Sequence, residues 1–323
     1  MNYKVLKMFF FSPTGLLHKI GVEYLPLSES KKMCDSYSLY RLSSTRQLII
    51  KDNGRSINKV ALYGGIDYDF HSNSLQEKEL SEQNMESNTI TLQLRNTFDY
   101  LEGTKTEADT IARCLEKYSI PYSYFSGSDG NEESFKKLSG THTNVIHIAT
   151  HGFYLKESDV LRDIATNGNE HNSLVMTEDR PLTRSGLLFS GCNQTIKGGH
   201  AYNDHDDDGI LTAQEIAILD FRGLDLVVLS ACETGLGDIS SGEGVFGLQR
   251  GFKKAGANTI IMSLWKVSDK ATEILMTSFY QNYLQGMSKL EAFSKAREEV
   301  RKNSSPRQTR PDWAAFIMLD GIH

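Results

Sequence analysis

Cysteine is scarce in this chain. There are four in 323 residues, Cys34, Cys114, Cys192 and Cys232, with no CxxC pair and no metal-ligand spacing. That excludes a disulfide scaffold and zinc-ribbon chemistry, and a reducing compartment follows as the simpler expectation. Long apolar runs are missing as well. Met8-Phe9-Phe10-Phe11 is too short for a signal h-region, and nothing approaches the ~20 apolar residues of a membrane helix. Excess positive charge is also lacking. The formal net charge is -6, which is the opposite of a nucleic-acid footprint and mainly favours solubility. No self-similarity appears at solenoid periods. These absences lead us to expect a soluble, cytoplasmic protein that engages neither nucleic acid nor membrane.

What is present is an ordinary globular balance, 39% hydrophobic and 24% charged, with enough apolar material for a sizeable core. Apolar runs read as strands at residues 60–64 (VALYG), 145–149 (VIHIA), 224–229 (LDLVVL), 259–264 (TIIMSL) and 313–319 (WAAFIML), with 122–125 a further strand candidate and 186–189 a brief strand or edge element. Helical periodicity falls between them, at 106–115, 132–138, 244–254, 271–284 and 290–300. Thr212 and Glu215 have capping-box spacing and mark another helix start. Two polar stretches, about 66–103 and 155–181, read as surface excursions. Strands alternating with helices predict an α/β fold with a central, mostly parallel sheet covered on both faces. In such sheets, ligands bind beyond the carboxyl ends of the strands.

Two of these strands end in residues capable of chemistry. One runs into Thr150-His151-Gly152, the other into Ser230-Ala231-Cys232. A cysteine peptidase needs a thiolate and an imidazole that takes the thiol proton and returns it to the leaving amine. It also needs backbone N–H groups aimed at the developing oxyanion. Gly152 allows close approach of a substrate to the backbone. Taken singly, a cysteine after an apolar strand is usually a small buried hydrophobe. A histidine there is usually a hydrogen-bonded surface residue. His147, on the same strand as His151, reads as a satisfied core or face residue.

At these positions the sequence resembles a known family. HIATHG (147–152) and LVVLSACETG (226–235) look like the two catalytic strands of the CHAT domain, a caspase-like peptidase domain related to separases and often fused to tetratricopeptide repeats. Further blocks at 12–21 (SPTGLLHKIG), 102–109 (EGTKTEAD), 209–216 (GILTAQEI), 242–269 and 312–321 (DWAAFIMLDG) are similar in the same order. The resemblance implies a caspase-like α/β sandwich formed by a single CHAT domain over 1–323. Within it, 1–57 would be an N-terminal family segment and 58–323 the catalytic core. No repeat domain is expected in this chain, so a regulatory protein would act in trans, or the chain would be a fragment. The resemblance further implies that His151 and Cys232 are the catalytic pair and that the N–H groups of Gly152 and Cys232 form the oxyanion hole. The substrate would be a protein or peptide. A catalytically silent scaffold or signalling module is the alternative.

The block WKVSD (265–269) is similar to a separase block whose last aspartate pairs with a basic P1 side chain, so Asp269 is a substrate-pocket candidate. Ser268 or Asp269 capping the following helix would explain the same residues. Glu243 and Glu233 are further acidic candidates. Residues 204–215 read DHDDDGILTAQE, which sets Asp204, Asp206, Asp208, Gly209 and Glu215 at positions 1, 3, 5, 6 and 12 of an EF-hand calcium loop. Against calcium stand the capping-box explanation of Glu215 and the lack of a convincing incoming helix at 197–200. No cofactor is expected. The glycines at 242, 244 and 247 make no phosphate loop, and no HExxH cluster occurs.

Overall fold

The fold is given by a computed structural model. It describes residues 8–14, 17–18, 20–29, 31–49, 57–70, 97–155, 180–198, 207–233, 243–304 and 311–322. The strands are β1 (Met8–Phe11), β2 (Ser38–Arg41), β3 (Val60–Ile66), β4 (Tyr122–Gly127), β5 (Val145–Tyr154), β6 (Ser185–Leu188), β7 (Ile210–Thr212), β8 (Leu226–Glu233), β9 (Thr259–Ser263) and β10 (Phe316–Leu319). The helices are α1 (Met33–Ser36), α2 (Glu102–Lys117), α3 (Glu132–Lys136), α4 (Arg180–Thr183), α5 (Cys192–Gly198), α6 (Ala213–Ile218), α7 (Glu243–Ala255), α8 (Asp269–Leu284) and α9 (Lys289–Asn303).

The strands join one sheet in the order β1-β2-β10-β9-β8-β5-β3-β4, with β6 pairing β5 and β7 pairing β6. The inner strands β4, β3, β5, β8 and β9 are mutually parallel. All ten residues of β5 are buried, as a near-continuous run of apolar and β-branched side chains requires of a central strand covered on both faces. The period of two sorts the strand residues into two layers. Ile146, Ile148, Val227, Leu229 and Ile260 pack in one apolar cluster with Phe135 of α3, Ile216 of α6 and Phe252 of α7. Val145, Leu226, Val228 and Ile261 pack in the other with Ile111 of α2, Leu275 and Phe279 of α8 and Phe293 of α9. Each large apolar side chain taken fully out of water stabilises the fold by about 1.5–3 kcal/mol. The two layers together hold β5 and β8 rigidly.

The expected fold class is therefore present, with differences in detail. The strand carrying His151 does not stop there. It continues to Tyr154, because β6 pairs with it antiparallel over Gly152–Tyr154. α2 starts at Glu102, four residues earlier than the periodicity suggested, since Thr104 accepts a bond from Gly65 N and donates to Leu101 O. β1 and β2, unread in the sequence, extend the same sheet, and Arg41 pairs in register with Leu319 of β10. Arg41 also makes a buried bidentate pair with Glu23, Nε–Oε1 2.9 Å and Nη2–Oε2 2.8 Å. The sheet thus crosses the boundary expected near residue 57. Most of both polar excursions, 71–96 and 156–179, lies outside the described residues. No helix among the described residues is long and apolar enough to cross a membrane.

Candidate active site

β5 and β8 begin level, Val145 opposite Leu226, and remain in register to Gly152 opposite Glu233. His151 and Cys232 are Cα partners in that ladder. Neighbouring parallel strands lie about 4.8 Å apart, so the backbones of the two residues are adjacent although 81 positions separate them in the chain. The side chains of Cys232 and Glu233 lie outside the described set, as does that of Glu243 at the start of α7.

His151 is 5% exposed. Its imidazole stands between Tyr68 and Phe98, with ring centroids 5.0 and 5.1 Å away. Its Nε2 lies 2.9 Å from the backbone carbonyl of Asp99. A carbonyl only accepts, so this bond requires the proton on Nε2 and makes Nδ1 the basic nitrogen. Burial lowers the His151 pKa below its ordinary 6.5, the Asp99 carbonyl opposes that, and the positive charge of Lys266 adds to the lowering. The result favours the neutral imidazole near pH 7.

The Asp99 carbonyl is itself fixed. Asn193 of α5 accepts from Phe98 N at 2.8 Å and donates to Phe98 O at 2.9 Å. Tyr68, 2% exposed, shares a hydrogen bond with Thr150 at 2.9 Å and accepts from His151 N at 3.3 Å. These supports were missed in the sequence. The signal available was weak, since Tyr68 and Phe98 are two of the four aromatics at residues 66–103, with Phe70 and Tyr100.

Behind this edge, on β5, His147 is fully buried. Its Nε2 is 3.0 Å from Glu107 Oε1 of α2, and its Nδ1 is 3.3 Å from the Tyr280 hydroxyl of α8. Ser230, two residues before Cys232, donates to Glu107 Oε2 at 2.9 Å. Glu107 thereby bonds β8 to α2 and sets its other carboxylate oxygen beside His147 of β5. It sits on the apolar stripe of α2 beside Ala108 and Ile111, and that placement could have flagged it.

Asp269 is exposed and is the first residue of α8, where its negative charge suits the helix N-terminus. The cap itself is Ser268, whose hydroxyl accepts from Ala271 N at 3.3 Å and donates to Asp312 at 2.7 Å. The Asp269 side chain abuts the start of α2. A Cβ placed on Gly103 would lie 2.7 Å from Asp269 Oδ2.

Of the calcium-like run, Asp204 and Asp206 lie outside the described residues. Gly209 takes φ +82° at the sixth position, β7 and α6 follow, and a helix, α5, does precede the run, contrary to expectation. α5 is short, and its anchors are Cys192 and Ile196 on the core together with the buried amide of Asn193. Glu215 is occupied by local bonds. Its Oε2 accepts from Thr212 N and Oγ1, both at 2.8 Å, and its Oε1 lies 3.2 Å from Lys136 Nζ. The same ammonium lies 2.5 Å from Glu132 Oε1 and 3.3 Å from Asp207 Oδ1. Asp208 Oδ1 accepts from Ile210 N at 2.8 Å, while its buried Oδ2 finds no hydrogen-bond partner among the described residues. Burial, with Glu215 adding to it, pushes Glu132 up to about 8, and burial beside Glu132 raises Asp208 well above the carboxylate range. Among the described residues no three metal-ligating side chains converge on one point.

A caspase-like sheet carrying a buried histidine and a cysteine level on adjacent parallel strands defines the class. The sequence model of the CHAT domain family matches residues 2–321, so the chain belongs to that family, within the caspase-like peptidase clan. Among curated proteins it is similar to Tetratricopeptide repeat protein 28 of Mus musculus, 31% identical over 112 residues. The human protein of the same name is 31% identical over 111 residues. Each match covers 34% of this chain and 4% of the relative.

Proposed function

We propose that the protein is a cysteine endopeptidase that cuts protein or peptide substrates through a thioester acyl-enzyme. The observation that carries this reading is the alignment of His151 with Cys232 across the β5–β8 ladder, with the histidine buried and its Nε2 committed to the Asp99 carbonyl. In the proposed reaction Nδ1 of His151 takes the Cys232 thiol proton, and the thiolate attacks the scissile carbonyl carbon. The N–H groups of Gly152 and Cys232 stabilise the oxyanion. Collapse of the tetrahedral species breaks the C–N bond, and the imidazolium gives its proton to the amine. Water, deprotonated by the same imidazole, then hydrolyses the thioester and restores the thiol. No cofactor enters any step.

For substrate choice, Asp269 is the proposed acid for a basic P1 residue, with Glu243 and Glu233 as further acidic positions. One contact and the placement of a neighbouring charge favour Asp269. Its side chain lies against Gly103, in the segment that begins at the Asp99 clamp, and Lys266 of the same β9–α8 connection is close enough to depress the His151 pKa. A bidentate Arg–carboxylate pair supplies the selectivity. A regulatory protein acting in trans is part of the proposal, and binding of nucleic acid or membrane is not.

The test is hydrolysis of a peptide panel with Arg, Lys, Leu or Asp at P1, by the wild type and by Cys232→Ala. Turnover confined to the wild type and to the Arg and Lys peptides is expected. Equal rates for the two proteins would leave the silent scaffold as the reading. Turnover lost in the variant but strongest on Leu or Asp would keep the peptidase and remove Asp269 from its role.

A further inference from the structure

The face of α2 that packs on the sheet buries Ala108, Ile111, Ala112 and Leu115. Glu107 interrupts that apolar stripe and is only 5% exposed. Taking a carboxylate out of water is costly, and an apolar side chain of similar size in such a layer is often as stabilising or more so. Packing alone therefore does not account for an acid at this position. What Glu107 does there is reach β8. The Ser230 hydroxyl donates to its Oε2 at 2.9 Å. Its Oε1 lies 3.0 Å from Nε2 of His147, which is itself fully buried and has the Tyr280 hydroxyl 3.3 Å from its Nδ1. Ser230 is the first polar residue of β8 after the run LVVL (226–229), and Cys232 follows two positions later.

The segment that carries Glu107 also holds the histidine. The Asp99 carbonyl, 2.9 Å from His151 Nε2, belongs to the residue three places before Glu102, the first of α2. The start of the helix is fastened in turn, because Thr104 donates to Leu101 O at 2.7 Å and accepts from Gly65 N at 3.0 Å. One continuous stretch, residues 99–107, thus meets the ends of both strands, at His151 on β5 and at Ser230 on β8. The ladder makes these strands neighbours, but parallel strands twist about one another. A base and a nucleophile must also meet closely, and a misplacement of about 1 Å costs on the order of a hundredfold in rate.

We infer that Glu107 is a positioning residue for the proposed peptidase reaction. Through Ser230 it fixes the end of β8 to the same segment that clamps His151, so that Cys232 and the imidazole keep their separation. It makes and breaks no bond in the reaction. The inference rests on the peptidase reading.

Peptide hydrolysis and thermal unfolding of the intact chain test it, together with alkylation by iodoacetamide, mapped to each cysteine so that Cys114 serves as an internal reference. Ser230→Ala removes one hydroxyl and should lower kcat about 10- to 100-fold, with KM and the melting midpoint nearly unchanged. Glu107→Leu should lower kcat similarly, and adding Ser230→Ala to it should cost little more. Glu107→Gln keeps a partner for the hydroxyl and should retain most of kcat. Because Glu107→Leu alters a packed layer and risks misfolding, Ser230→Ala is decisive by itself. In that variant Cys232, displaced from its base, should alkylate several-fold more slowly, while Cys114 keeps its rate. A wild-type kcat in Ser230→Ala would overturn the inference, as would a loss in Glu107→Gln equal to that in folded Glu107→Leu. Absence of turnover by the wild type would sink the peptidase reading instead. The alkylation rates then decide: a Cys232 rate unchanged by Ser230→Ala overturns the positioning role, and a slowed one supports it.

Discussion

The parallel strands at the centre of the sheet have two very different ends. At their start, β3, β5, β8 and β9 are level, and the polar groups satisfy one another. Asn144 Oδ1 accepts from Asn58 N and Lys59 N at 3.0 and 3.2 Å. Asp225, 1% exposed, accepts from Lys289 Nζ at 2.6 Å, from Asn258 at 3.2 Å and from Tyr283 at 3.3 Å, and Lys289 also donates to Thr259. One buried acid meets one buried base, and each keeps its hydrogen bonds. At the far end the accounts do not balance. His151 is stripped of water, and beyond β4 one ammonium, Lys136, stands among Glu132, Asp207 and Glu215, with Asp208 beside them. Balanced burial holds strands in register, whereas unbalanced burial shifts proton affinities. Perturbed groups of the second kind are what reactive sites collect.

This contrast can be broken by experiment. The largest effect should come at the far end. Cys232→Ala should lower peptide hydrolysis about 10⁴-fold or more while leaving the melting midpoint nearly unchanged. Retained turnover would remove the chemistry from that end altogether. The balanced end should show the reverse. Lys289→Met leaves Asp225 buried without its cation and should cost about 3–5 kcal/mol of stability by denaturant unfolding. The kcat/KM of the remaining folded protein should stay unchanged. Adding Asp225→Asn should recover much of that loss, and a double variant as unstable as the single would refute the pairing argument.

The next effect lies in the acid cluster. The folded Glu132 carboxyl titrates above its ordinary 4.5, at about 8, because burial and Glu215 disfavour its anion. A carboxyl raised in this way favours the folded state below its unfolded pKa, and the advantage is lost as pH rises toward the folded value. Wild-type stability should therefore decline between about pH 4.5 and pH 8, and Glu132→Gln should flatten the decline, gaining on the order of 1 kcal/mol over wild type at pH 8. Parallel pH curves for the two proteins would mean that the cluster is balanced after all. The smallest expected effect is on His151. Its pKa is lowered by burial and by Lys266, so the acid limb of kcat/KM should fall below pH 6.5. Lys266→Met should move that limb upward by a few tenths of a pH unit. A downward shift or none would deny that Lys266 reaches the imidazole.

Much of this arrangement was legible in the chain. The apolar runs at β3, β5, β8 and β9 were long enough and rich enough in Val and Ile to mark a buried parallel sheet, and Thr212 with Glu215 announced the start of α6. The continuation of β5 past His151 was not legible, because the partner that extends it, β6, is set by tertiary pairing. α5 was missed because it is short and only Cys192 and Ile196 mark its apolar side, the buried amide of Asn193 adding a further anchor. The Asp99 clamp was hidden for a different reason. A backbone carbonyl leaves no mark in the residue alphabet, and only the fold brings residue 99 to residue 151.

Within β5 and β8 the division of labour can be stated closely. The sequence determined that VIHIA and LDLVVL are strands leading toward His151 and Cys232, because runs rich in β-branched and aliphatic side chains suit a strand buried on both faces. It also determined which residue types follow those runs. Only the tertiary structure made these strands neighbours, started both at the same level through Asn144 and Asp225, and so brought His151 level with Cys232. It alone supplied the Asp99 carbonyl that fixes the histidine's tautomer and the burial that lowers its pKa. Spacing along a strand is a local property of the chain, whereas register, burial and the direction of a carbonyl arise from contacts between segments far apart in it.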